Sequence, residues 1–343
     1  MQAPRRALVT GGAGFLGSHL CDQLIDRGDE VLCVDNLLTG RKANIRHLLD
    51  HPSFEFLRHD VSQPLQVEVD VIYHLACPAS PVQYQSDPTR TIETALEGAI
   101  HLLHLARDVG AKILLASTSE VYGDPEVHPQ TESYRGSVTT TGPRSCYDEG
   151  KRASETLFWD AHLQFGTRIR IARIFNTYGP RMRADDGRVV STFLVQGLTG
   201  QPFTVYGDGS QTRSFCYVSD LIDGLIRLMD ASDDAAGISE PVNLGNPEER
   251  TVLELVDAVR VVTGSTAPVV PLPLPIDDPV RRCPSIVRAQ HLLGWRPVTP
   301  LIGGLRATAQ ALAEEEGLPA PPPPDASLAG AQAARLDGAG RAS

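Results

Sequence analysis

Residues 10–20 read TGGAGFLGSHL, and the spacing of their glycines decides the fold. Gly12, Gly14 and Gly17 satisfy G-x-G-x-x-G, while Gly11, Gly14 and Gly17 satisfy G-x-x-G-x-x-G. Such a turn needs glycine because the chain reverses tightly, its backbone approaches a pyrophosphate, and the following helix aims its N-terminus at that charge. A Gly-rich turn alone is weak evidence. Here it joins a strand-like run, 7–10, to a helical pattern, and Asp35 closes a second strand-like run. An acidic side chain at that point accepts hydrogen bonds from an adenine ribose and repels a 2′-phosphate, which favours NAD over NADP. Arg41 nearby leaves NADP open.

Outward from this turn, short apolar runs at 7–10, 30–34, 54–57, 69–76, 112–117 and 168–174 alternate with stretches of helical length and period. Runs rich in Val, Ile and Leu, apolar on both faces and separated by crossover helices, predict an α/β fold. The expected form is a Rossmann-like, doubly wound parallel sheet covered on both sides. After Ile174 the alternation weakens into NTYGPRM, TGQPFTVYGDGSQ and VVPLPLPIDDP, between helical patterns near 189–198, 218–229 and 251–263. The expected organisation is an NAD-binding domain over 1–177, to which about 213–245 returns, and a smaller C-terminal lobe over 178–315 that binds substrate. A Pro-, Ala- and Gly-rich tail, 316–343, has no apolar period and is expected to be disordered.

The 31 basic and 42 acidic residues give a net charge of -11, the wrong sign for neutralising a phosphate backbone, so nucleic acid is not an expected partner. An anionic ligand must be met locally, by helix N-termini and placed arginines. The six cysteines show no C-x-x-C and no grouping with the histidines, so reduced thiols and no metal site are expected. A strand-like run begins almost at once and no stretch has transmembrane length, which makes cytoplasm the expected compartment and excludes a membrane partner.

The segment SCYDEGK opens a helix and puts Tyr147 and Lys151 at i and i+4, one turn apart on one face. An adjacent ammonium is expected to stabilise the phenolate, lowering the phenol towards a working range in which Tyr147 takes a proton from a hydroxyl that loses hydride. Thr118 and Ser119 supply hydroxyls at the end of the fifth strand. Asp60 in HDV ends the third strand, where adenine is in reach. HLAC brings Leu75, Ala76 and Cys77 to the end of the fourth, with core packing as the alternative for the first two.

TGGAGFLGSHL, DNLLTG, HLACPASP, STSEVYGDPEVHPQ, GPRSCYDEGKR, RIFNTYGPRM, DGRVVS and YGDGSQTRSFCYVSDL together resemble the UDP-glucuronate decarboxylase (UDP-xylose synthase) branch of the extended short-chain dehydrogenases, over roughly residues 7 to 300. The resemblance implies that Tyr147 deprotonates the sugar 4-hydroxyl, held by Thr118, while C4 passes hydride to NAD. The 4-keto sugar, a β-keto acid, then loses its C5 carboxylate as carbon dioxide, and protonation at C5 and hydride return give the pentose, so NAD is regenerated in each turnover. Glu120 matches an acid/base position near C5, and Arg282 in DDPVRRCPSI an arginine that steers the carboxylate or stabilises the enolate. Asn176, Arg188, Val189 and Arg213 match nucleotide-sugar contacts. Phe15, Leu16, Asn36, Thr39, Gly40, Val61, Thr94 and Thr177 join Gly11, Gly14, Asp35, Asp60, Leu75, Ala76, Cys77, Tyr147 and Lys151 around NAD. The resemblance also implies a homodimer built through long helices at 87–109 and 146–162.

The chain departs from that pattern where TIETALEG carries Ala95 in place of an expected asparagine and Glu93 in place of a common basic residue. Glu93 would oppose an anionic substrate if it faced the cleft. Rival readings are a 4,6-dehydratase, a 4-epimerase or a catalytically silent dinucleotide-binding module. Dehydratases place an acid where this chain has Ser119, which cannot protonate a leaving hydroxyl, and the intact Thr118, Tyr147 and Lys151 argue against a silent module.

Overall fold

The structure is a computed structural model that describes residues 4–273 and 281–323. The first half builds β1 (Arg6–Thr10), α1 (Phe15–Asp26), β2 (Glu30–Asp35), β3 (Phe54–Arg58), β4 (Val71–His74), α2 (Pro81–Ser86), α3 (Pro88–Val109), β5 (Lys112–Thr118), α4 (Ser145–Phe165) and β6 (Ile169–Ile174). The second half adds β7 (Thr177–Tyr178), α5 (Val189–Thr199), β8 (Phe203–Tyr206), β9 (Thr212–Ser214), β10 (Cys216–Tyr217), α6 (Val218–Asp230), β11 (Val242–Leu244) and β12 (Glu249–Thr251). It closes with α7 (Val252–Thr263), β13 (Val269–Leu272), β14 (Arg281–Arg282), α8 (Val287–Leu293) and α9 (Leu301–Glu316).

Seven strands form one sheet in the order β11-β6-β5-β4-β1-β2-β3, with every neighbouring pair parallel. Period-2 alternation sends successive side chains to opposite faces. Ala7, Val9, Val31, Cys33, Val71 and Tyr73 pack with Leu20 and Leu24 of α1 and Leu221 and Leu225 of α6. Leu8, Leu32, Val34, Ile72, Ile113 and Leu115 pack on the other face with Leu102 of α3 and Phe158 of α4. Both faces are therefore apolar and covered, as a parallel sheet requires, and each fully buried aliphatic side chain contributes about 1.5–3 kcal/mol. The expected doubly wound α/β fold is what the chain adopts.

Strand order reverses at β1, between β4 and β2, and ligands of open α/β sheets bind at the carboxyl ends of the strands at that switch point. A second core over these strand ends is made by α5, α7, α9 and β8, with Phe193, Leu255, Val259 and Leu305 inside it. Its helices are cut cleanly: Thr251 and Glu254 form a reciprocal capping box at the start of α7. The Gly- and Pro-rich pieces of the second half contain short pairings, β8 with β13, β10 with β7, and β9 between β12 and β14.

α3 starts at Asp87, whose carboxylate accepts from the Arg90 N–H, and packs along α4, where Gly150 makes room for Ala95 and Ser154 Oγ donates to the Ala95 carbonyl (3.0 Å). Ala95 thus sits at a close helix crossing, where a Cβ on Gly150 would lie 3.2 Å from its own. Glu93 is exposed and lies 3.9 Å from Arg90, away from the cleft lining. The start of the tail is held rather than loose: Leu318 packs on the second core and Arg306 donates to the Pro322 carbonyl (2.7 Å). Residues 324–343, and the 274–280 part of VVPLPLPIDDP and DDPVRRCPSI, lie outside the described residues.

Candidate active site

The glycine turn is shaped by close approaches. Gly11 has φ +72°, and a Cβ there would lie 2.9 Å from the Ala76 nitrogen; at Gly17 it would lie 2.1 Å from the Gly11 carbonyl oxygen. Neither position accepts a side chain without moving backbone. The turn delivers α1 with its first N–H groups unbonded towards the cleft, a ready anion site. Asp35 at the end of β2 accepts from the Ala13 N–H (3.0 Å) and the Leu37 N–H (2.7 Å). Burial pushes its carboxyl up, and those two N–H donors work against the rise. A Cβ on Gly40 would sit 2.7 Å from the Asp35 carboxylate, so Gly40 leaves that carboxylate its space. Arg41 is turned to Glu315 (2.8 Å) and Glu316 (3.4 Å), which commits the cation that left NADP open.

Tyr147 and Lys151 descend from the first turns of α4 into the cleft, both nearly inaccessible. The Tyr147 phenol is hydrogen-bonded with Thr118 and its ring stacks on Tyr84 at 5.0 Å and 2°. Lys151 Nζ donates to the Ala116 carbonyl (2.8 Å) and lies 6.0 Å from the Tyr147 ring centre. The ammonium thus lies one helical turn from the phenol but is turned to the Ala116 carbonyl. Burial drives the phenol well above its ordinary value, Cys77 and Glu120 add to the rise, and the Thr118 hydrogen bond opposes it. The physical reason is that a phenolate loses its hydration here while the ammonium is engaged elsewhere.

Beside this pair lies a buried charge cluster. Glu120 bonds both Arg144 and Arg282. Burial alone would raise the Glu120 carboxyl, but Arg282 and Arg144 overcome it and hold the group below the usual carboxylate range. Neither Glu120 nor Arg282 is a solvated surface charge. Asp148 is next to the cluster, and burial, reinforced by Glu120, pushes its carboxyl up to about 7 against the pull of Arg144 and Arg282. Among the described residues its Oδ1 has no hydrogen-bond partner, nor do the buried Tyr84 hydroxyl, Ser80 Oγ and Arg282 Nη2.

One cavity of about 710 Å³ collects these groups. Gly11, Gly14, Phe15, Leu16, Asp35, Asn36, Thr39, Val61, Leu75, Ala76, Cys77, Thr94 and Thr177 line it, as do Thr118, Glu120, Tyr147, Lys151, Asn176, Arg188, Val189, Arg213 and Arg282. Asp60 and Gly40 do not. The Asp60 carboxylate is spent on Asn36 (2.9 Å), the Ser62 hydroxyl (2.8 Å) and Arg90 (2.5 Å), which hold it down to about 2 although burial alone would raise it. Across the cavity, Arg188 caps α5, pairs with Asp186 and reaches over the Phe15 ring at 5.8 Å. Arg213 on β9 is in register with Arg282 on β14. Arg144, Tyr84, Asp148 and Ser80 were missed by sequence reading. Arg144 stands three residues before Tyr147 and was within reach of the helix argument, whereas nothing local marks Tyr84. Cys146 donates to the Tyr84 carbonyl (3.6 Å) and its thiol is pushed up by burial, so it offers no ready nucleophile.

Residues 7–245 match the model of the NAD dependent epimerase/dehydratase family. The chain belongs to that family. Its members' cofactor is NAD, and the Gly11–Gly17 cradle with the Asp35 carboxylate fits that dinucleotide here. The chain is 57% identical to UDP-glucuronic acid decarboxylase 1 of Arabidopsis thaliana over 88% of its own length and 68% of the relative's. It is 54% identical to UDP-glucuronic acid decarboxylase 1 of Danio rerio over 91% and 73%. Among solved structures, the Bacillus cereus UDP-glucuronic acid 4-epimerase in complex with UDP-glucuronic acid and NAD superposes with a TM-score of 0.80 at 29% identity, covering 90% of this chain and 99% of that one. Among the described residues, no helix is long and apolar enough to cross a membrane.

Proposed function

We infer that this family member decarboxylates UDP-glucuronic acid to UDP-xylose. The observation that carries the reading is the buried Glu120–Arg282 pair beside Thr118 and Tyr147, in a chain more than half identical to proteins named for that activity. NAD, when bound, supplies a hydride acceptor for sugar C4, returns the hydride at the end, and brings a positive ring into the cleft. Tyr147 takes the proton of the 4-hydroxyl, and Thr118 hydrogen-bonds the same oxygen. Lys151, one helical turn on, and the positive ring that NAD would bring when bound are the charges that would oppose the burial of the phenol. Nη2 of Arg282, without a partner among the described residues, is the donor for the sugar carboxylate, or for the enolate left once carbon dioxide departs. Glu120 bonds Arg282 and Arg144, and we assign its carboxylate the relay of a solvent proton to C5 once carbon dioxide has left. Arg188 and Arg213, with Asn176 and Val189, take the nucleotide diphosphate through fork-shaped donors.

The dinucleotide is assigned to 1–177 with the returning 213–245 segment, and the nucleotide sugar to 178–315. Exposed apolar residues on the outer faces of α3 and α4 (Ile100, Trp159, Leu163) support a homodimer joined through these helices. Six cysteines, none in a disulfide, fit a reducing compartment, and cytoplasm is the one we propose. The test is to incubate the purified protein with UDP-glucuronic acid and identify products by mass spectrometry. UDP-xylose with carbon dioxide is expected from the wild type and none from Tyr147→Phe, which keeps its NAD; the loss is on the order of 10²–10⁴-fold. An epimerised uronic acid, or unchanged substrate, sinks the reading.

A further inference from the structure

Outside the cavity lining, next to Arg282 in the chain through Cys283, His128, Glu249 and Cys283 meet, and their ligand atoms all lie within 4.8 Å of one another. They come from three separate segments, which is why their spacing in the chain shows no metal pattern. His128 Nε2 is 2.8 Å from Glu249 Oε2. The other oxygen of that carboxylate accepts from Thr212 Oγ1 (2.6 Å), the kind of outer contact that orients a metal-binding carboxylate. Cys283 is buried, with its Sγ directed to the Pro247 carbonyl (3.3 Å).

The scaffold behind the three side chains is tied together independently of them. Fully buried Gln130, two residues after His128, donates its N–H to the Cys283 carbonyl (2.8 Å) and accepts the Cys283 N–H on its side chain (2.8 Å). Its own carbonyl takes the Ser285 N–H (2.8 Å) and Asn243 Nδ2 (3.0 Å). Glu249 and Cys283 sit on or beside β12 and β14, which flank β9. His128 and Cys283 are therefore fixed to each other by backbone, and Glu249 to both through the small sheet.

We propose that His128, Glu249 and Cys283 bind one divalent cation of the zinc class. One imidazole, one carboxylate and one thiolate suit a borderline-soft ion, and the partly exposed His128 and Glu249 leave a fourth position for water. Metal–ligand distances of about 2.0–2.3 Å place such donors some 3–4 Å apart, so an ion entering the group displaces the His128–Glu249 contact and the thiol proton with little backbone movement. Bound there, it would staple Cys283, the neighbour of Arg282, to β12.

The test uses untagged, chelator-treated, NAD-loaded protein titrated with Co²⁺ and competed with Zn²⁺. Wild type should take up one equivalent with a thiolate-to-cobalt absorption band, reversed by Zn²⁺, and its melting temperature should rise with Zn²⁺. Cys283→Ser should lose the band. His128→Ala, at a partly exposed position that does not depend on core packing, should weaken uptake roughly tenfold or more. No uptake by wild type, or a band that survives in Cys283→Ser, overturns the proposal, as does undiminished affinity in His128→Ala.

Discussion

Burial acts on the neighbouring carboxyls of Glu120 and Asp148 with opposite outcomes, because what decides each is the arginine it can reach. Glu120 touches two guanidiniums and stays ionised; Asp148, further from both and repelled by Glu120, rises to about 7. Because the folded value of Asp148 lies above the unfolded one, the native state binds an extra proton between about pH 4 and pH 7, and stability is lost as pH climbs through that window. Asp148→Asn removes this penalty. The variant should gain melting temperature over wild type, and the gain should be larger at pH 8.5 than at pH 5 by about 2 °C or more. A gain that is flat with pH, measured by thermal melts of NAD-loaded protein, would show that Asp148 ionises freely. Tyr147, Lys151 and Thr118 were legible in the sequence because two share a helix face and the third ends a strand, both local facts. Tyr84 stacking on Tyr147, and Arg144 and Arg282 closing on one carboxylate, arise from distant segments that only the folded sheet brings together.

At the scale of elements, the long helices and the six N-terminal strands were readable because each repeats its period several times. The pieces of the second half were not, since strands of two to four residues such as β8, β9, β12 and β14 complete too few repeats to show one. They are specified by their partners. The same helices pose a question of their own: Trp159 and Leu163 are i and i+4 on α4, with Leu163 at 66% exposure, and Ile100 is exposed on α3. An apolar stripe along two packed helices is what an isologous four-helix contact would cover. Sedimentation should show the wild type as a dimer and Leu163→Glu as a monomer, with little change in melting temperature because the side chain supports nothing within its own chain. A monomeric wild type removes the dimer.

For the molecule as a whole, the problem is to hold a doubly charged diphosphate and a carboxylate on a chain of net charge -11. The mean field is repulsive, so the attraction must be local, and the fold supplies it by lowering a second core with its own arginines onto the switch point of the sheet. Arg188 enters at the head of α5 and Arg213 from β9, facing the glycine turn across the cavity. A charge-assisted hydrogen bond contributes roughly 1.5–3 kcal/mol, about ten- to a hundredfold in affinity. Arg213→Ala should therefore weaken UDP binding by about tenfold or more. Arg188→Lys, which keeps the charge opposite buried Asp186 but loses the planar fork, should weaken it several-fold. Both should retain wild-type NAD content, since the dinucleotide is cradled by the other half. The readout is the UDP-dependent rise in melting temperature, with NAD released and quantified in parallel. Unchanged UDP affinity in Arg213→Ala would move the diphosphate away from the second lobe, and loss of NAD in either variant would mean that the two halves of the cavity do not divide the ligands between them.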